Sequence, residues 1–204
     1  MKTRLAHPLI LLGAGLGLLG STGCQILPEA QSDPTRFYVL SAPTAAAAPV
    51  AGAPVVRVRA IEVAEYLRGR PMIVRRGGNE IEFREFARWG EPLEAGVGRV
   101  IREELLARGA AAAVLLPGGR RDTATATFEL TVRVLAAEGG RDGSVQFRAG
   151  WELVATADGT VAARGDFRAG AQRWDGKNEA ALAAGLSEAV AALAGEIAAA
   201  LVKR

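Results

Sequence analysis

Few side chains in this 204-residue chain can do covalent or acid–base chemistry. It has one histidine, His7, and one cysteine, Cys24, both near the start of the chain. Residues 1–23 read as a removable leader, so the mature chain is expected to hold no histidine. That leaves no Ser-His-Asp triad, no Cys-His pair and no histidine metal site. The serines that remain, Ser32, Ser41, Ser144 and Ser187, have no G-x-S-x-G motif around them. Carboxylate pairs could in principle do acid–base work. Glu80 and Glu82 lie at strand spacing on one face, and Glu103 and Glu104 are adjacent on a predicted helix, where neighbours diverge. Both read as solvated faces. Gly15-Leu16-Gly17-Leu18-Leu19-Gly20 spells G-x-G-x-x-G, but inside the leader's apolar run rather than between a strand and a helix, so it carries no nucleotide chemistry. No enzymatic activity, metal or cofactor is expected.

Arginines are the remaining chemical resource. Arg68, Arg70, Arg75, Arg76, Arg84 and Arg88 crowd one short region, interspersed with Glu65, Glu80, Glu82 and Glu85. Arginine forks bind phosphate and carboxylate bidentately, which suits anionic headgroups or an acidic partner; equally, the mixed charges can pair across strands. Both readings stay open. With Lys2 and Arg4 in the leader, 23 of the 25 basic residues remain against 22 acidic ones. The mature chain is thus nearly neutral, and no nucleic-acid partner follows from its charge.

The leader fixes the compartment. Lys2 and Arg4 precede an apolar stretch, residues 9–19, and then Ser21-Thr22-Gly23-Cys24. The stretch is too short to span a bilayer, which takes ~20 apolar residues. A cysteine after small residues at this point resembles the lipobox of bacterial lipoproteins, although Ser21 stands where that pattern favours leucine. The resemblance implies acylation of Cys24 and cleavage before it; the alternatives are a secreted protein with one free thiol or an uncleaved anchor. Several acyl chains, at ~0.8 kcal/mol per buried CH₂, hold a protein to a membrane without crossing it. Gln25 after the cysteine, rather than aspartate, implies the outer membrane, periplasmic face. Cys24 has no partner for a disulfide within the chain.

The organising stretch is FREFARWGEPLEAGVGRVIREELLARG, residues 83–109, where aromatic residues run into an amphipathic helix. Glu91-Pro92 predicts its start, since proline's missing N–H is no loss in the first turn. Leu93, Val97, Val100, Ile101 and Leu105 make its apolar stripe, and Gly109 its stop. Phe83, Phe86 and Trp89 read as core or as a lid before it. Upstream, residues 24–35 form a tether, 36–40 a short strand, 42–54 an Ala/Pro loop and 55–63 a strand, followed by a turn or one helical turn over 64–71. Residues 72–75 and 80–85 flank Arg76-Gly77-Gly78-Asn79 as a hairpin. Downstream come strands at 111–116, 123–137, 144–157 and 160–171, the last two turning at Asp158-Gly159, and a final helix over 178–202. Two helices and six or seven strands predict an α+β domain over residues 36–204, with a mostly antiparallel sheet and both helices on one face.

The lipobox, Arg36-Phe37-Tyr38-Val39-Leu40, Tyr66-Leu67 with Arg70-Pro71-Met72-Ile73-Val74-Arg75, and above all Phe86-Ala87-Arg88-Trp89-Gly90-Glu91-Pro92-Leu93 resemble the ABC-type transport auxiliary lipoproteins, paraquat-inducible protein C-like. The resemblance implies a domain similar to the N-terminal part of the Tol periplasmic protein. It implies a non-enzymatic lipoprotein serving phospholipid traffic across the Gram-negative envelope, partnered by a mammalian-cell-entry-domain periplasmic protein and an inner-membrane permease or transporter. A homo-oligomeric ring suits that role. The site residues that follow are Cys24 for lipidation and Tyr66, Phe86, Arg88, Trp89, Glu91 and Pro92 for the family surface, either as an interface or as a brace for the helix start. A general envelope-assembly lipoprotein and a periplasmic lipid-binding carrier are the alternative roles.

Overall fold

The computed structural model describes residues 32–42, 48–117, 126–170 and 172–203. The expected leader, Cys24 and most of the tether lie outside them, as do parts of the Ala/Pro loop and the start of the strand expected from residue 123. The chain divides at Pro34, and the fold is that of the unit Thr35–Arg204.

Its spine is β6 (Phe128–Gly140). Leu130, Val132 and Val134 alternate inward and are fully buried, the period-2 pattern of a strand with one covered face. Along one edge β6 pairs antiparallel with β7 (Val145–Ala155), which pairs antiparallel with β8 (Val161–Arg168). These are the strands expected at 123–137, 144–157 and 160–171, paired antiparallel in sequence order. Along the other edge lie two strands in tandem, both parallel to β6: β2 (Val55–Val63) against residues 128–134, and β3 (Pro71–Arg75) against Gly139 and Gly140. A 3-10 turn, Glu65–Leu67, joins them. Outside β2 runs β5 (Ala113–Leu115), parallel. Outside β3 runs β4 (Ile81–Trp89), antiparallel, and outside that β1 (Arg36–Tyr38), parallel and at the sheet edge.

The expectation of six or seven mostly antiparallel strands is therefore corrected to an eight-stranded mixed sheet. The reason is connectivity. After β2 the chain continues in the same direction through the 3-10 turn into β3, and it returns to β5 and β6 only after a helix, which makes those pairings parallel. β4 also runs further than the hairpin signal indicated, through Trp89, with a register shift between Pro71 and Ile73 on its partner. β6 continues past the expected end at 137 through Gly139 and Gly140, with the ring of Trp174 packed over Gly139. A Cβ on Gly139 would stand 2.5 Å from that ring.

The helices are α1 (Leu93–Ala107) and α2 (Glu179–Val202). α1 packs on β2 and β5, α2 on β6 and β7, and the two pack on each other, so both lie on one sheet face. The predicted stripe of α1 is buried throughout, as are Leu182, Leu186, Val190, Leu193, Ile197 and Leu201 of α2. α2 is long and apolar enough to cross a membrane, yet that stripe faces protein. Pro92 caps α1 from outside the helix, one residue later than expected. Gly109, at φ 65°, ends it: its N–H donates to Leu106 O and that of Ala110 to Leu105 O, the paired bonds of a Schellman motif. Asn178 Oδ1 caps α2 by accepting from the N–H groups of Ala180 and Ala181.

Candidate functional site

Five of the residues singled out from sequence, Phe86, Arg88, Trp89, Glu91 and Pro92, gather at the junction of β1, β4 and α1, and they divide by burial. Trp89 is 4% exposed and sits in the core. Its backbone is clamped: Trp89 N–H donates to Arg70 O at 2.7 Å, and Gly90 N–H to Tyr38 O at 2.7 Å. The end of β4 is thus held between β3 and β1 just before the chain turns into α1. Pro92 lacks an N–H to lose there, and its carbonyl accepts from Ala95 and Gly96.

Glu91 is part of a bracket. Arg99 Nη2 on α1 donates to Glu91 Oε1 at 2.5 Å and to Leu40 O at 2.7 Å. The Glu91 hydrogen bond, ahead of the opposing cost of partial burial, pushes the Arg99 guanidinium pKa up, with the charges of Glu91 and Glu103 adding to it. Leu40 is itself buried, and Ser41 N–H donates to Ser187 Oγ on α2 at 2.9 Å. The segment leaving β1 is therefore stapled to both helices.

Phe86 and Arg88 face outward. Phe86 is 48% exposed, and Phe37, at 61%, lies on β1 opposite Arg88 in the parallel ladder. Val39, 55% exposed, packs beside Gly90. Residues two apart on a strand share a face, which sets Phe86 alongside Arg88 and Phe37. The outer strand of the sheet thus carries an aromatic and aliphatic patch with a guanidinium at its centre. Sequence reasoning placed Phe86 and Arg88 here; the parallel β1–β4 pairing that adds Phe37 and Val39 is non-local and leaves no short-range signal.

Tyr66 stands elsewhere, over β6. Its hydroxyl donates to Leu135 O at 3.2 Å, and the Arg75 guanidinium lies 6.0 Å from its ring centre. Arg75 Nε donates to Glu138 Oε1, and Glu138 is only 1% exposed. Burial, reinforced by the Glu138 carboxylate, raises the Tyr66 phenol above its ordinary value. The hydrogen bond to Glu138 raises Arg75. Tyr66 therefore closes a polar cluster. Glu138 was not foreseen, although a charge inside Leu-Ala-Ala-Glu-Gly-Gly marks a carboxylate that needs a partner.

Of the six crowded arginines, four are paired. Arg68 meets Glu65 at 3.0 Å, Arg75 meets Glu138, Arg76 meets Glu82, and Arg84 bridges Glu82 at 3.0 Å and Glu179 at 2.6 Å. Arg70 and Arg88 have no ion pair among the described residues. Cys24 lies outside the described residues, so its lipidation rests on the sequence alone.

The fold is an α+β domain with a mixed sheet, two helices on one face, and exposed aromatics at the β1–β4 edge. The family is specific: the model for the ABC-type transport auxiliary lipoprotein component matches residues 38–198, and the chain belongs to that family. Among solved structures, a Xanthomonas campestris protein of the DUF330 family model is similar at 18% identity. The match covers 79% of this chain and 92% of that one, with a TM-score of 0.63. An uncharacterized protein matches at 20% identity over 80% and 98%, TM-score 0.59. Both likenesses show the fold. A search of curated proteins finds no match.

Proposed function

We propose that this protein is a non-enzymatic, outer-membrane-anchored periplasmic lipoprotein that serves as the docking component of a mammalian-cell-entry-type phospholipid transport system. The observation that carries the reading is the family match across nearly the whole folded unit. The lipobox at Cys24 supports a lipid anchor, and Gln25 the outer membrane. β1 carries Phe37 and borders Phe86 and Arg88. In this reading buried Trp89, the Glu91–Arg99 pair and Pro92 at the start of α1 hold the edge rigid, and the exposed Phe37, Phe86 and Arg88 meet the mammalian-cell-entry protein, whose inner-membrane transporter completes the path. Copies arranged as a ring around a tubular partner would repeat the same edge contact. The likeness to the Tol periplasmic protein belongs to this same family inference.

The test is affinity purification of the full-length protein from cross-linked cells in mild detergent. Recovery of a mammalian-cell-entry protein with its transporter is expected. Recovery of only peptidoglycan-associated or other outer-membrane proteins would sink the transport assignment in favour of general envelope assembly.

A further inference from the structure

On the sheet face turned away from the helices, the ends of β6, β7 and β8 form a cleft of about 460 Å³. Arg75 and Glu138 line one side, and Arg148 and Arg168 also line it. Phe147 and Ala149 point into the core on either side of Arg148, which places the Arg148 side chain on the outer face.

Arg148 and Arg168 are register partners in the antiparallel β7–β8 ladder. Directly opposed residues have Cβ atoms only ~5 Å apart, and like charges in that position destabilise a sheet. Four residues along, the same ladder sets Glu152 against Arg164, opposite signs. Neither Arg148 nor Arg168 has an ion-pair partner among the described residues. Arg75 is already neutralised by buried Glu138. The cleft thus holds two adjacent guanidiniums without an ion pair, with only the Asp166 carboxylate on the same face two residues along β8, where a like-charged rung costs the sheet, the pattern expected where a local rule yields to a binding role.

We propose that this cleft binds a phosphate monoester, gripped from two sides by Arg148 and Arg168. A planar carboxylate with one negative charge presents one edge to one fork. A tetrahedral phosphate offers a separate edge to each and, as a monoester, carries close to two negative charges, matching the two guanidiniums. A lipid phosphate and a soluble phosphomonoester share this chemistry. The proposal does not depend on the docking reading, because it is decided on purified protein without any partner.

The experiment is calorimetric titration of the full-length protein in uncharged detergent micelles and phosphate-free buffer. One arm adds glycerol 3-phosphate; the second adds phosphatidic acid to the micelles; diacylglycerol in the micelles is the control. Saturable binding of a phosphate probe, absent with diacylglycerol, is expected. Binding confined to phosphatidic acid identifies a lipid ligand, and equal binding of glycerol 3-phosphate a soluble one. Arg148→Gln should weaken binding about tenfold or more, and the Arg148→Gln/Arg168→Gln pair about a hundredfold or more. The thermal midpoint of the double variant should stay level or rise, since a repulsive rung has been removed. Failure of both phosphate probes to bind the native protein, or undiminished binding by either folded variant, overturns the proposal.

Discussion

Truncating Phe37 and Phe86 to alanine separates docking from folding at the β1–β4 edge. Phe37 is 61% and Phe86 48% exposed, so each has about half of its surface left to lose from the fold. Fully burying such a side chain is worth roughly 1.5–3 kcal/mol, so each truncation should cost the domain about 1 kcal/mol. At an interface the same rings act as anchors, where truncation typically costs ~2 kcal/mol or more, about thirtyfold in affinity. Trp89→Ala gives the contrast: with 4% exposure it empties a core site and should cost folding about 3–5 kcal/mol. Urea denaturation of the purified variants measures the first quantity, and co-purification yield from cross-linked cells the second. A folded Phe37→Ala/Phe86→Ala variant that recovers its partner at native yield would refute the assignment of this edge.

The Arg75–Glu138 pair should be asymmetric. Arg75→Ala strands a carboxylate that is 1% exposed and should cost about 3–5 kcal/mol, whereas Glu138→Ala leaves a guanidinium 26% exposed that can turn to water, at roughly half that cost; denaturation midpoints in the reverse order would be inconsistent with it. Gly109→Ala forces φ 65° on a residue with a Cβ and drives that carbon to 2.7 Å from Ala48 O, so a loss of about 1 kcal/mol or more is expected by the same assay. Hydrogen bonds from Ser144, Thr160 and Asn178, each with a neighbouring or side-chain N–H or O–H, lower the carboxyls of Asp142, Asp158 and Asp175 below 3.8. Their contribution is complete above 3.8 and lost as pH falls through the lower folded values, so replacing all three with Asn should flatten the acid limb of a stability–pH curve. Tyr66, raised above 10.0 by burial, contributes below 10.0 and loses that contribution as pH climbs through its folded value; Tyr66→Phe should flatten the alkaline limb.

What was legible in the sequence was local. The Pro92 start, the Leu93-to-Leu105 stripe and the Gly109 stop define α1 because capping and a 3.6-residue period act within one helix. Asp158-Gly159 sets the β7–β8 turn for the same reason: Asp158 Oδ1 accepts from Thr160 N–H at 3.0 Å, two residues on. The tandem parallel seating of β2 and β3 on β6 was not legible, because pairing partners 70 or so residues apart leave no trace in either strand's own alternation. β4 was read short because the register shift opposite Pro71 to Ile73 breaks its period where Phe86 and Arg88 turn outward. Those two site residues were named from the family motif, and only the β1 register shows Phe37 beside them. Arg148 and Arg168 escaped notice because they are 20 residues apart and become neighbours only across the hairpin.

Under the proposed function the β1–β4 edge meets the mammalian-cell-entry protein. A photo-cross-linking amino acid at position 86 in living cells probes that edge, with position 164 on β8, the strand beyond β6 and β7, as the comparison. A cross-link from position 86 to the mammalian-cell-entry protein is expected, and much less from position 164. Cross-links from position 86 only to unrelated envelope proteins, or equal yields from both positions, would contradict it.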